Sequence, residues 1–400
     1  MMKKIKLSES VYWIGVNDRR TRLFENLWPL EKGISYNSYL VRGRRTALID
    51  TVEVAKTGEF FSHIDQILMN NEPVEFLVIN HLEPDHSGAI MNVISRYPDI
   101  KIVGNATTFK ILGQFYGISD NLYPVDDKHV LDLGGCHLSF IPTPMLHWPE
   151  TMMTYHHEDK ILFSGDAFGS FGNLNGGVMD EELNMSFYEE EIRRYYSNIV
   201  GKYWNPVQRA LAALKDKDIK IIASTHGPVW RKDLQRIISL YDKWSRFESE
   251  KGAVIVFGSM YGHTEKMAEI IARALCEGGI KDIKIYDSSK THLSYILNDI
   301  FLYKAVILGS SAYNGFILPP MEQLLSRILH TGIKDRLLGI FGSAAWGGGG
   351  VKAIEEFAEK IKWEVVAPSV QALGEPSAEN MNDCEIIGIN AARRLTEIFG

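Results

Sequence analysis

Four side chains able to hold a metal or move a proton fall within six positions, His81-Leu82-Glu83-Pro84-Asp85-His86, directly behind the run FLVIN at residues 76–80. His81, Glu83 and Asp85 alternate, so an extended segment leaving a strand aims all three to one side and His86 to another. That division suits two metal ions addressed from one loop. The competing reading is a polar loop in which Ser87 caps a following helix. Three later fragments favour the metal: His147 in TPMLHWPE, Asp166 in LFSGDAFG and His226 in IIASTHGPVW. Each stands where an apolar run meets a small or helix-breaking residue, and together the four segments offer seven nitrogen or oxygen ligands. Cys136, Cys276 and Cys384 lie far apart without a CxxC pair. That argues against a disulfide framework, an iron–sulfur cluster or a rubredoxin-type site. Mixed carboxylate–imidazole sites with open positions suit iron, while zinc takes the same ligands without redox chemistry.

A second constellation lies in VIVFGSMYGHTEKMA, which reads strand, loop, helix. Ser259, Met260, Tyr261, Gly262, His263 and Thr264 offer small side chains, hydroxyls and backbone N–H groups where the helix begins. Such a loop can hold a phosphate without Lys or Arg. It carries neither GK[ST] nor GxGxxG, and taken alone it reads as an ordinary strand-to-helix turn. Two further loops resemble it: Ser311, Ala312, Tyr313, Asn314 and Gly315, and then Ser343, Ala344, Ala345, Trp346, Gly347 and Gly348. Three such loops at one edge of a doubly wound sheet form a ligand crevice, with Tyr313 and Trp346 placed to flank a flat ring.

Two kinds of scaffold must position these loops. The 400 residues are too many for one ordinary core and imply two domains. The first half mixes short β-rich runs (VYWIGV, SYLVRG, TALIDTV) with hairpins turning at Gly134-Gly135 and Glu158-Asp159. Amphipathic patterns over 188–215 and 231–247 complete an α+β, layered αββα arrangement. His156 and His157, in the second hairpin, read as exposed. From residue 251 the apolar runs AVIVFG, DIKIYD, KAVILGS and LLGIFGS alternate with helices beginning near 264, 292, 320 and 350. That is an α/β doubly wound parallel sheet. The boundary falls in the polar stretch 246–252, giving domains 1–248 and 252–400.

The formal net charge of -7 gives no reason to expect nucleic acid. No apolar run approaches the roughly 18 to 20 residues that span a bilayer. The start, MMKKIKLSES, lacks the apolar segment of a secretory signal, so the expected location is cytoplasmic.

The HxExDH series, with His147, Asp166 and His226 after it, resembles the metallo-β-lactamase fold over residues 1–248. Most hydrolases of that fold carry HxHxDH and bind zinc; here Glu83 stands at the middle histidine, a harder and more anionic ligand that, set against that pattern, tips the site towards redox. Residues 252–400 resemble flavodoxin, whose first loop takes the FMN phosphate and whose later two enclose the isoalloxazine. The sequence departs from it in reading MYGHT where many flavodoxins read TGNT. The fusion resembles the flavodiiron proteins over the whole chain. That resemblance implies one iron on His81, Glu83 and His147, another on Asp85, His86 and His226, and Asp166 bridging them. It also implies FMN, reduction of dioxygen to water and/or nitric oxide to nitrous oxide, and a head-to-tail homodimer or dimer of dimers. Members that end where this chain ends carry no fused rubredoxin, so an external donor such as rubredoxin is implied. Electron counting agrees: dioxygen needs four electrons to become two waters, and reduced FMN and a diferrous pair hold two each. Tyr195, Tyr196, Trp148 and Glu25 are candidates for tuning the choice of substrate. The alternatives are a zinc hydrolase fused to a flavodoxin, and an electron carrier without catalysis.

Overall fold

The computed structural model describes residues 4–68 and 72–400. The chain divides into two compact units, Met1–Ser245 and Arg246–Gly400. In the first, one sheet runs in the order Ile5–Lys6, Val11–Trp13, Tyr39–Arg42, Thr46–Ile49, Phe76–Val78, Lys101–Gly104 and Leu122–Pro124. Its first three pairings are antiparallel and its last three parallel. Thr46–Ile49 and Phe76–Val78 lie mid-sheet and are buried throughout, so they read as continuous apolar runs without alternation. The other sheet joins Val130–Asp132, His137–Pro142, Met152–His156 and Ile161–Gly165 antiparallel, then adds Ile221–Ser224 in parallel. Tyr39, Ile49 and Val78 from one sheet share a core with Leu138, Phe140 and Phe163 from the other. Helices bury single apolar stripes: Phe60, Ile64 and Ile67 in Thr57–Ile67, and Val207, Ala210 and Leu214 in Trp204–Leu214. The layered αββα arrangement is the one the sequence implies.

Two local expectations fail in this unit. The pattern over 188–215 is not one helix. It breaks into Glu189–Tyr195, a π-helical turn Tyr196–Val200, a short 3-10 turn and Trp204–Leu214. Residues 194–201 are buried without interruption, which a regular α-helix with one inward stripe does not achieve; the wider turn accommodates them. His156 is not exposed either. It is fully buried, with Nε2 3.1 Å from Ser10 Oγ, while His157 is exposed.

The second unit is a parallel sheet in the order Ile283–Asp287, Glu250–Gly258, Tyr303–Tyr313 and Leu337–Ala344. Glu364–Val365 and Val370–Leu373 pair along the far side of Leu337–Ala344. This is the 2-1-3-4-5 order of flavodoxin-like sheets, with the switch point between the first and third strands in sequence. Val370–Leu373 is not among the four apolar runs; it alternates buried and exposed and carries no run to see. Arg336, fully buried, donates to the carbonyls of Ile300, Phe301 and Phe247, so it satisfies the end of helix Leu293–Leu302. Among the described residues no helix is long and apolar enough to cross a membrane.

Candidate metal centre and flavin pocket

The metal site begins where Phe76–Val78 ends. Asp50, itself in a left-handed conformation, accepts from the backbone N–H of Asn80 (2.8 Å) and His81 (3.3 Å), fixing how the chain leaves the sheet. Glu83 is still extended, but Pro84 opens one helical turn, Pro84–Ser87. The alternation therefore stops at Glu83. His81 and Glu83 point into one cluster, and the turn carries Asp85 with His86 into another. Ser87 does not cap a following helix; it closes this turn, donating to the carbonyls of Leu82 (2.8 Å) and Glu83 (3.0 Å).

Ligand atoms of His81, Glu83, His147 and Asp166 lie within 4.8 Å of one another, as do those of Asp85, His86 and His226. Asp166 faces both groups. Its Oδ2 is 2.9 Å from His147 Nε2 and 3.5 Å from His81 Nε2, and its Oδ1 is 2.9 Å from His86 Nε2 and 3.7 Å from His226 Nε2. Outer groups fix the rings. His81 Nδ1 is held by Glu150 Oε1 at 2.8 Å, and His226 Nδ1 donates to Ser35 O at 2.7 Å, so each presents Nε2 to the centre. Thr225 donates to Asp166 Oδ1 at 2.6 Å.

The residues fit a pair of cations. Both Asp85 oxygens, both His86 nitrogens and His226 Nε2 are buried with no hydrogen-bond partner among the described residues. His226 Nε2 is 3.1 Å from Asp85 Oδ2, yet the two are not aligned to bond each other. Atoms that converge without bonding are the signature of a shared missing charge. Burial, with the Glu83 and Asp166 charges beside it, pushes the Asp85 carboxyl up to about 7. Burial would raise Asp166 as well, but the imidazoles of His86, His147 and His81 outweigh it and hold Asp166 well below the carboxylate range. A donor set of four imidazoles and three carboxylates, with no thiolate, suits iron.

Glu150, Asp50, Ser35 and Thr225 were not found from sequence. Glu150 gave a usable signal: it stands three residues after His147, and a buried glutamate requires a partner. Of the tuning candidates, Trp148 packs its ring 5.2 Å from His81, and Tyr195 sits 5.6 Å from His226 with its buried hydroxyl unpartnered among the described residues. Glu25 accepts from Trp28 Nε1 at 2.8 Å and, with Glu83, Phe24 and Phe115, lines a cavity of about 680 Å³. Tyr196 turns away to pack on Tyr241 and Trp244.

In the second unit the three loops do meet. Ser259, Met260, Tyr261 and His263, the stretch Ser311 to Gly315, and Ser343 to Gly347 line one cavity of about 340 Å³. Three expected residues do not line it. Gly262 caps the helix His263–Glu277 in a left-handed conformation, its N–H bonded to Ser259 Oγ at 3.0 Å. Thr264 is buried, its hydroxyl 2.8 Å from Ser343 Oγ, and so ties the first loop to the third. Gly348 backs onto Gln371. Gly374, which follows the unrecognised strand Val370–Leu373, joins the lining instead. The cavity is open, with Tyr261 and Trp346 86% and 84% exposed. Small side chains, amides and flanking aromatics make a slot for a flat ring carrying a phosphate tail.

A sheet sandwich with two convergent histidine–carboxylate clusters, followed by a flavin-binding parallel sheet, defines an oxidoreductase that joins a binuclear metal site to FMN. Comparison with known proteins agrees. Residues 34–227 match the family described as ODP family beta lactamase, and residues 255–388 match flavodoxin. A nitric oxide reductase of Moorella thermoacetica is 32% identical over 99% of this chain and 100% of its own length. An anaerobic nitric oxide reductase flavorubredoxin of Aeromonas hydrophila is 31% identical over 98% of this chain and 79% of its own. Rubredoxin oxygen:oxidoreductase from Desulfovibrio gigas superposes with a TM-score of 0.94 at 27% identity, covering 99% of both chains. The chain belongs to the flavodiiron proteins, and its cofactors are a non-haem diiron pair and FMN.

Proposed function

We propose that this flavodiiron oxidoreductase reduces dioxygen to water, nitric oxide to nitrous oxide, or both, with electrons delivered to FMN by reduced rubredoxin or a similar small donor in the cytoplasm. The observation that carries the reading is the single carboxylate, Asp166, facing both ligand clusters. In this reading His81, Glu83 and His147 would hold one iron, Asp85, His86 and His226 would hold the other, and Asp166 would serve both. Bound there, the irons would supply Lewis acidity and a change of oxidation state, and FMN would supply electrons. The chain's own residues prepare the site. Glu150 and Ser35 keep His81 and His226 in the tautomer that offers Nε2. Burial, then the charge of Asp166, raises the Tyr195 phenol well above its ordinary range, so its oxygen keeps a proton beside the site. The three loops hold FMN by phosphate contacts and stacking, without a covalent bond, since none contains a cysteine.

The test is an iron and flavin count beside turnover of dioxygen and nitric oxide with a reduced donor. Two zinc ions per chain and no turnover of either gas would overturn the reading in favour of the hydrolase. The proposal extends to a head-to-tail homodimer, or dimer of dimers, in which one chain's flavin domain serves its partner's metal site. Trp346 and Trp148 would stand near that junction. A two-fold pair is the commonest assembly and brings the cofactors together most simply. Mixing chains lacking only the metal site with chains lacking only the flavin should restore turnover after subunit exchange. An active monomer sinks the dimer.

A further inference from the structure

The loop Ser224–Gly227 leaves the end of strand Ile221–Ser224 and brings Thr225 and His226 to the metal centre. All four of its residues are buried, so each of its carbonyls needs a donor. One residue serves three of them. Asn37, fully buried, gives its backbone N–H to Thr225 O at 2.7 Å, and its Nδ2 to Ser224 O at 3.0 Å and Gly227 O at 2.9 Å. The fourth, His226 O, accepts from Ser224 Oγ at 2.8 Å. Two neighbours of Asn37 complete the clamp. Ser35 Oγ accepts from Gly227 N–H at 2.8 Å, and the Tyr39 hydroxyl donates to Ser224 O at 2.6 Å. Trp13 Nε1 donates to Asn37 Oδ1 at 2.9 Å. An indole N–H only donates, so this bond fixes which end of the amide is oxygen and turns Nδ2 to the loop.

We propose that Asn37 is the positioning residue of the second metal position, the one built by Asp85, His86 and His226, and that the first position is held independently of it. The inference rests on the assignment of His226 to that position. The clamped loop sets two atoms there. One is His226 Nε2; the other is Asp166 Oδ1, which takes the Thr225 hydroxyl and faces His86 and His226. The first position is oriented from elsewhere. Asp50 and Glu150 hold His81, and Asp166 turns its other oxygen towards His81 and His147. Removing the Asn37 amide takes the donor from Gly227 O and one of two from Ser224 O. The chain on both sides of His226 must then shift to find new partners.

The experiment is an anaerobic titration of the full-length, chelator-stripped chain with ferrous iron, counting metal after desalting and recording the urea midpoint beside it. Asn37→Ala should weaken one iron about tenfold to hundredfold, as loss of an outer partner does, and keep the other within about threefold of wild type. Combined with His147→Ala, which removes a ligand of the first position, it should leave no firmly held iron. Trp13→Phe keeps the amide but frees it to turn, and should weaken the same iron by about threefold to tenfold. Tyr39→Phe leaves Ser224 O its bond from Asn37 and should hold both irons. Wild-type affinity for both irons in Asn37→Ala, or an equal loss of both, overturns the proposal. So does one iron retained by the combined variant, since the iron lost would then be the first. If Asn37→Ala does not fold, Trp13→Phe decides: a loss confined to one iron supports the positioning role, and both kept or both lost overturns it. A wild-type chain that takes up no pair of irons refutes the metal centre itself and is thereby told apart.

Discussion

The two cofactor sites are built by opposite means. At the metal centre, seven ionisable side chains are brought together inside the first unit, six of them buried, and further buried groups set their orientation. At the flavin pocket almost nothing is ionisable. Glycines, short hydroxyls and backbone amides shape an open slot, and its large aromatics, Tyr261 and Trp346, stand in solvent. The first site depends on atoms that are costly to leave unpaired, the second on many weak contacts. Single substitutions should therefore be severe at the metal centre and mild at the flavin.

The contrast breaks most sharply at Asp166. Asp166→Ala should lose both metals and lower turnover by at least about a hundredfold, since it removes the carboxylate that faces both clusters. FMN should stay bound, because the flavin pocket draws only on residues of the second unit. An iron assay beside the flavin absorbance checks both halves; full iron retention would show that Asp166 is not the bridge. Glu150→Gln tests orientation without removing a ligand. It keeps an acceptor for Leu82 N–H (2.9 Å) but discharges the group behind His81, and iron affinity should fall roughly tenfold.

On the flavin side, Trp346→Ala should weaken FMN about threefold to tenfold, the worth of one aromatic contact, with iron unchanged. Acid should then release free FMN from the wild-type chain. Flavin that stayed with the precipitated protein would contradict a site held only by phosphate and stacking contacts. If the tryptophan variant instead lost flavin entirely, the weak-contact account of this pocket would fail.

The same contrast governs what the sequence disclosed. Ligand types are distinctive, and their places at strand ends could be read against apolar runs, so all seven convergent residues were legible. Their supporting groups were not. Ser35 acts through a backbone carbonyl, and Thr225 and Asp50 are ordinary residues until the fold brings them to His226, Asp166 and His81. In the second unit the regular alternation gave the sheet, but the pocket is mostly backbone. Thr264 and Ser343, of which only Ser343 lines the pocket, were indistinguishable in sequence, and Gly374 was hidden behind a strand that alternates like a loop margin. The turn at Pro84 misled differently: alternation over His81, Glu83 and Asp85 predicts one face, but proline begins a helical turn and splits the set.

The smallest expected effect lies at His156, a buried histidine outside both sites. Its Nδ1 accepts from the backbone N–H of Asp159 at 3.1 Å, so the proton sits on Nε2, which donates to Ser10 Oγ. Ser10 and Ser8 in turn donate to Asp159 Oδ2, both at 2.5 Å, pinning the N-terminal segment to the hairpin. Accepting at Nδ1 requires a neutral ring, and burial likewise lowers this histidine's pKa below its ordinary 6.5, outweighing the nearby Asp159 and Glu158 charges. The unfolded chain therefore binds the proton more readily than the folded one. Stability from this group is complete above about pH 6.5 and is lost as pH falls towards the lower folded value, with a slope of at most about 1.4 kcal/mol per pH unit. His156→Gln keeps a donor for Ser10 but cannot titrate. The difference in urea midpoint between variant and wild type, followed from pH 7.5 to pH 5, should move in the variant's favour on acidification. Whatever the metal centre contributes over that range is common to both proteins and cancels in the difference. A constant gap across that range would mean that His156 carries its proton in the folded chain, and that the Asp159 N–H is bonded elsewhere.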